Sequence, residues 1–301
     1  MKTEKLKMPS YGGQALIEGV LMRGNKYLAA AFRKPDGEIV VETEELGKIY
    51  QSPLKKIPFL RGLIILWDAL GLGTKYLTKS ANYQSEDEDE KIEGPALYFT
   101  LFISFAVAML LFFLTPALLG KALEQWLGFS HIIQNLIEGF IRLLFVIIYI
   151  YAIGRMPDIA RVFSYHGAEH KTINAFESNE ELLPITVKKY SLQHPRCGTA
   201  FILYVVLISI VVFTFIGDVT WLLLIVSRLA LIPFIAMIAY EYIRFTADRL
   251  ENPIISKLAK PGLWLQKLTT NEPDQDILEV SIAAFNAMYN LENKTIEETT
   301  I

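Results

Sequence analysis

Four apolar runs limit what this chain can fold into. A helix needs about 20 apolar residues to cross a bilayer. Residues 97–119 meet that length without a single charge, and 136–153, 199–216 and 219–240 follow. Only Gly217 and Asp218 separate the last two, which predicts a tight antiparallel pair. Hydrophobic residues make up 52% of the 301 positions and charged residues 20%, and mean hydropathy is +0.33. The expected fold class is an α-helical integral membrane protein with about four transmembrane helices. A small N-terminal antiparallel β unit and cytoplasmic helices make it α+β overall.

Lysine and arginine near the spans set the expected orientation. The connection after the first span offers only Lys121, and that at Gly217–Asp218 offers none. The segment 154–198 carries Arg155, Arg161, Lys171, Lys188, Lys189 and Arg196, and the tail carries Arg244, Arg249, Lys257, Lys260 and Lys267. Both termini and the middle segment are therefore expected in the cytoplasm, with Trp126 and Trp221 as anchors at the opposite surface. No apolar run is N-terminal, so no cleavable signal peptide is expected.

The remaining chain divides at the same boundaries. Residues 1–52 read as a cytoplasmic β unit, simplest as three strands, with Pro35-Asp36-Gly37 as a turn. Residues 53–96 hold an apolar segment at 60–72, interfacial or packed on the bundle, and an acidic linker at 85–93. The spans occupy 97–153 and 199–240 around the middle segment. Residues 241–301 hold C-terminal helices, including a second short apolar segment around Trp264. Ile277, Val280, Ala284 and Met288 mark one face of an amphipathic helix over 275–290. A net charge of −3 gives no basic footprint for nucleic acid, and no nucleotide-binding glycine motif is present.

Chemistry concentrates in 154–198. His166 and His170 fall in YHGAEHKTINAFE, one helical turn apart, so a helix puts both imidazoles on one face. Glu169 completes H-x-x-E-H, the inverted zinc-protease order, in which the Glu is general base on water. His194 and Cys197 follow in HPRCGT at the start of the third span. Zinc is the expected ion for such a His/Cys set, with iron or manganese as other divalent choices. His166, His170, His194, Cys197 and Glu241 are the candidate ligands, and Glu169 is the candidate base. Asp248 is a further carboxylate near Glu241. Glu18 interrupts an apolar run and is expected to pair with a cytoplasmic arginine. Glu138 and Arg142 can pair on one helix, whereas Arg228 has no mate in its own.

YGGQALIEGVLMRG, YHGAEHKTINAFE and HPRCGTAF together resemble the signatures of the YqhQ-like family of bacterial membrane proteins, domain of unknown function 1385. The resemblance runs over nearly the whole chain. It implies a multi-pass protein of the bacterial cytoplasmic membrane and a metal-dependent enzyme of undefined reaction.

Two functions follow as expectations. The first is a zinc hydrolase at the cytoplasmic membrane face, acting on a lipid, a lipid-linked molecule or a membrane-tethered peptide. The second is a transport or scaffold protein with a structural or sensory metal site, which with so few spans implies a homo-oligomer.

Overall fold

The computed structural model describes residues 11–47, 57–85, 91, 94–217 and 219–299. Among them the chain is mostly helical, with one N-terminal antiparallel sheet. Most of the acidic run lies outside the described residues.

The sheet has four strands rather than the expected three: β1 (Gly12–Leu16), β2 (Gly19–Arg23), β3 (Tyr27–Arg33) and β4 (Ile39–Glu45), paired in sequence order. The apolar run that reads as one strand turns back at Ile17–Glu18, pairing Leu16 with Gly19. Glu18 takes a positive φ of 49° there. That backbone costs a non-glycine residue about 1–2 kcal/mol. Bonds from the Arg161 guanidinium (2.7 Å for Nη2) and the Tyr165 hydroxyl (3.1 Å) hold the Glu18 carboxylate in place, so Glu18 does pair with an arginine, from the segment 154–198.

Helix α1 (Leu60–Gln84) runs well beyond the short apolar segment and packs on the sheet and the bundle. Gly62 lets it approach Tyr240, where a Cβ would sit 3.0 Å from the Tyr240 Cβ and 3.2 Å from its ring. Helix α2 (Gly94–Met109) continues through a π-helical turn at Leu110–Leu114 into α3 (Thr115–Leu127). Pro116 explains the turn: it lacks the N–H that would bond the Phe112 carbonyl. Arg142 Nε donates to that carbonyl instead, at 3.0 Å. Helix α4 (His131–Ile153) follows, then α5 (Pro157–Glu177) and the one-turn α6 (Pro184–Val187). The remaining helices are α7 (Gly198–Thr214), α8 (Trp221–Ala230), α9 (Ile232–Ala247), α10 (Pro253–Gln266) and α11 (Gln275–Thr299).

Four spans are not what the helices establish. Gly94–Leu127 and His131–Ile153 are long and apolar enough to cross a membrane. The α8–α9 pair passes only as one span bent by 41°, giving up to three. Pro233, in the first turn of α9, accounts for the break, because the Leu229 carbonyl loses its helical donor. Helix α7 is apolar but only 17 residues long, about 25 Å at 1.5 Å per residue.

Within the bundle, Arg228 finds its mate on α4. Its guanidinium donates to both Glu138 oxygens, at 2.6 Å for Nη2–Oε2, and to Asn135 Oδ1 at 2.7 Å. Arg142 donates to Glu138 Oε1 at 2.6 Å and to Ser209 Oγ at 2.7 Å. Both guanidinium groups also face the Phe213 ring. This closed network ties α4, α7 and α8 together. On the other side, α11 buries Ile277, Val280, Ala284 and Met288 against the sheet and α5, the face its spacing marks.

Removing Glu138 leaves two buried arginines facing each other without an anion. Breaking a buried pair costs about 3–5 kcal/mol. Glu138→Leu is therefore expected to lower the melting midpoint in detergent sharply, while Lys34→Ala, at the exposed Lys34–Glu38 pair, leaves it within error. Equal midpoints for wild type and Glu138→Leu would show the network to be dispensable.

Candidate metal centre

Helix α5 carries the HGAEH segment. Pro157 occupies its first turn and Asp158 favours its N-terminal dipole, so the helix starts cleanly. His166 and His170 then lie one turn apart with ring centroids 4.4 Å from each other. Gly167 between them is a contact residue: a Cβ there would strike the Asn271 carbonyl and approach Leu192 Cδ2 at 2.8 Å. The missing side chain lets two other segments close on the imidazoles.

Those segments fix both rings. His166 Nδ1 lies 2.8 Å from the Thr269 carbonyl, and His170 Nδ1 lies 2.5 Å from the Leu192 carbonyl. A carbonyl only accepts, so each Nδ1 carries a proton, and in the neutral ring it is Nε2 that presents the lone pair. Cys197, the N-cap residue of α7, places Sγ 3.2 Å from His166 Nε2. His170 Nε2 is buried and makes no hydrogen bond. Ligand atoms of His166, His170 and Cys197 all lie within 4.8 Å of one another. Glu169 stands beside them, its Oε2 3.9 Å from each Nε2.

The other sequence candidates sit elsewhere. His194 is a neighbour, its ring 5.7 Å from that of His170, but its Nε2 points toward Glu177 at 3.9 Å. Its backbone is clamped on both sides by the Gln266 amide, at 2.9 Å each way. Burial lowers its pKa, and the Glu177 bond works against that shift. Glu241 is engaged by the Arg61 guanidinium and by the Phe59 N–H at 3.0 Å. Asp248 is exposed beside Arg244. Neither carboxylate belongs to the His/Cys cluster.

Several supporting groups escaped the sequence reading. Lys171 is buried next to His170, and its Nζ donates to the Lys188 and Tyr190 carbonyls at 2.7 and 2.8 Å and pairs with Glu272 at 2.8 Å. Asn174, one turn on, donates to the Ser191 and Gln193 carbonyls. Together they shape the loop that offers the Leu192 carbonyl to His170. Gly13 of β1 covers Glu169: a Cβ would lie 2.9 Å from the Glu169 Cγ. The signal for all three is position inside the two long motifs. Nothing in the sequence says which carbonyls they serve.

Burial pushes the Glu169 carboxyl up to about 7 from its ordinary 4.5, and His166 and the Gly13 N–H pull it back. The native state thus keeps a proton that the unfolded chain releases near 4.5. The stability this contributes is complete below pH 4.5 and is lost as pH rises through 7. In chelator-treated protein, wild type should lose on the order of 3 kcal/mol relative to Glu169→Gln across that window. Parallel melting curves at all pH values would contradict this.

The comparisons with known proteins agree with one another. The family described as "Protein of unknown function (DUF1385)" matches residues 57–291. "Uncharacterized protein YqhQ" of Bacillus subtilis (strain 168) is 37% identical over 304 residues, covering 94% of this chain and 93% of that protein. No solved structure matches. Neither description assigns an activity, so the metal-dependent enzyme implied by the resemblance gains no support from them. The chain belongs to the DUF1385 family, alongside YqhQ.

Proposed function

We propose that this protein is a membrane-embedded, metal-dependent hydrolase whose site lies at the cytoplasmic face. The observation that carries the reading is the convergence of His166 Nε2, His170 Nε2 and Cys197 Sγ, with His170 Nε2 buried and unbonded. Two imidazoles and a thiolate suit zinc, and backbone carbonyls on each Nδ1 are the usual support for zinc-binding histidines. Three protein ligands leave a fourth position for substrate or water. A bound zinc would supply Lewis acidity toward a carbonyl or phosphoryl oxygen. Glu169, with its Oε2 3.9 Å from both Nε2 atoms, is placed to take a proton from water and return it to the leaving group.

The substrate is a lipid, a lipid-linked molecule or a membrane-tethered peptide, because Cys197 caps an apolar helix and so belongs at its membrane boundary. The lysine and arginine distribution supports the orientation with both termini in the cytoplasm. That topology has α7 crossing as well as the bent α8–α9 pair.

A second reading is a structural or sensory metal site in a non-enzymatic protein. The enclosure favours it: His170 is fully buried, and Cys197 and Glu169 are nearly so.

Metal analysis by mass spectrometry on purified full-length protein tests both. Near-stoichiometric zinc is expected in wild type and in Glu169→Gln, and under a tenth of that in His170→Ala. In a deletion strain, wild type but not Glu169→Gln should restore the lipid and lipid-linked metabolite profile. Full restoration by Glu169→Gln assigns the structural role, and a wild type without metal overturns both readings. Lys171→Met frees the loop behind His170, so it is expected to weaken zinc about 10–100-fold in chelator competition.

A further inference from the structure

Helix α10 has two sides. One packs on the bundle. Gly262 meets α7 so closely that a Cβ would lie 2.9 Å from the Ala200 Cβ and 3.0 Å from the Tyr204 ring. Tyr204 Oη donates to the Leu258 carbonyl at 3.0 Å, and Tyr242 Oη donates to the same carbonyl at 3.2 Å. Ala200 and Tyr204 belong to the first two turns of α7, within about 10 Å of its start. Helix α10 therefore packs against the N-terminal turns of an apolar helix.

The second side bears an uncovered apolar stripe. Ile254, Leu258 and Trp264 are 71%, 46% and 53% exposed, and with Pro261 they fall at i, i+4, i+7 and i+10. Lys257 and Lys260 stand on that same outward side, each within one or two turns of Trp264, and Lys267 is the C-cap residue; all three are exposed, and none forms an ion pair among the described residues. Exposed lysines interleaved with apolar residues and a tryptophan, their stems able to run along the apolar surface, are the mark of a helix lying in a membrane surface. The helix is also firmly started, with the Asn252 side chain capping Ile254 N–H at 2.9 Å and Pro253 in the first turn.

We propose that α10 is an in-plane membrane helix whose Lys257, Lys260 and Lys267 bind the phosphates of anionic phospholipids, with Ile254, Leu258 and Trp264 at the acyl-chain boundary. The charge of the free lysines selects that occupant over a neutral lipid or an apolar protein face. The inference rests on the chain residing in a bilayer and is independent of any metal. The contact nevertheless bears on the metal centre. The last turn of α10 supplies Gln266, which clamps His194, and the chain just beyond it supplies the Thr269 carbonyl on His166 Nδ1.

The test uses the full chain with Trp67, Trp126 and Trp221 replaced by Phe, leaving Trp264 as the reporter. It is reconstituted in vesicles of phosphatidylcholine and phosphatidylglycerol at equal mole fractions, with acyl-chain bromines placed on one lipid or the other. Trp264 emission is expected to be quenched at least twofold more by brominated phosphatidylglycerol. The preference should vanish at about 1 M salt. It should also vanish, with quenching retained, in the Lys257→Gln, Lys260→Gln, Lys267→Gln variant, whose changes are all on the surface. Equal quenching by the two lipids in the parent protein would overturn the headgroup assignment. Absence of quenching by either would overturn the membrane placement, and a second copy or another protein would then be what covers α10.

Discussion

Each imidazole of the HGAEH segment gives its Nδ1 proton to a backbone carbonyl, and the site depends on those two bonds. They fix the tautomer, so both Nε2 lone pairs face Cys197 and Glu169. The carbonyls belong to Thr269 and Leu192, residues from different parts of the chain. Their arrival requires α5, the loop before α7 and the chain after α10 to meet at Gly167, where no side chain intrudes. Lys171 and Asn174 then hold the loop, and Gln266 holds His194. Much of the middle segment's sequence is explained by this one junction.

The β unit has a comparable economy of purpose. Its first hairpin crosses α5 so that Gly13 lies on Glu169, and the Glu18 turn is pinned to Arg161 and Tyr165 at the other end of the same helix face. The strained φ at Glu18 persists because three hydrogen bonds, two from Arg161 and one from Tyr165, hold its carboxylate. Glu292 of α11 closes the sheet's next turn by accepting the N–H groups of Lys26 and Tyr27, at 2.6 and 2.9 Å. A sheet this small gains its stability from α1, α5 and α11 rather than from itself.

What the sequence revealed followed from periodicity and residue chemistry. The one-turn spacing of His166 and His170, the buried face of α11 and the Glu138–Arg142 pair are all local relations, and local relations are written in spacing. The apolar runs were equally visible, but length alone overstated them: Pro233 breaks one and α7 falls short. The hairpin at Ile17–Glu18 was hidden because a polar residue in an apolar run gives no sign of a reversed chain direction. Glu241 was drawn to the candidate set by its place near a span end, yet Arg61, 180 positions away, claims it. Arg228 likewise needed α4 to show its partner. Ion pairs between distant segments leave no periodic trace.

The arginine network has an electrical consequence. Glu138 offers one negative charge against the two positive charges of Arg142 and Arg228, so the network holds one elementary charge in excess. Aromatic faces at Phe113 and Phe213 soften that excess without cancelling it. In an energised bilayer, a full charge displaced across the whole potential exchanges about 2.3 kcal/mol per 100 mV. An excess charge fixed inside the bundle would feel any such potential in proportion to its depth, and only a movement that changed that depth would couple to it.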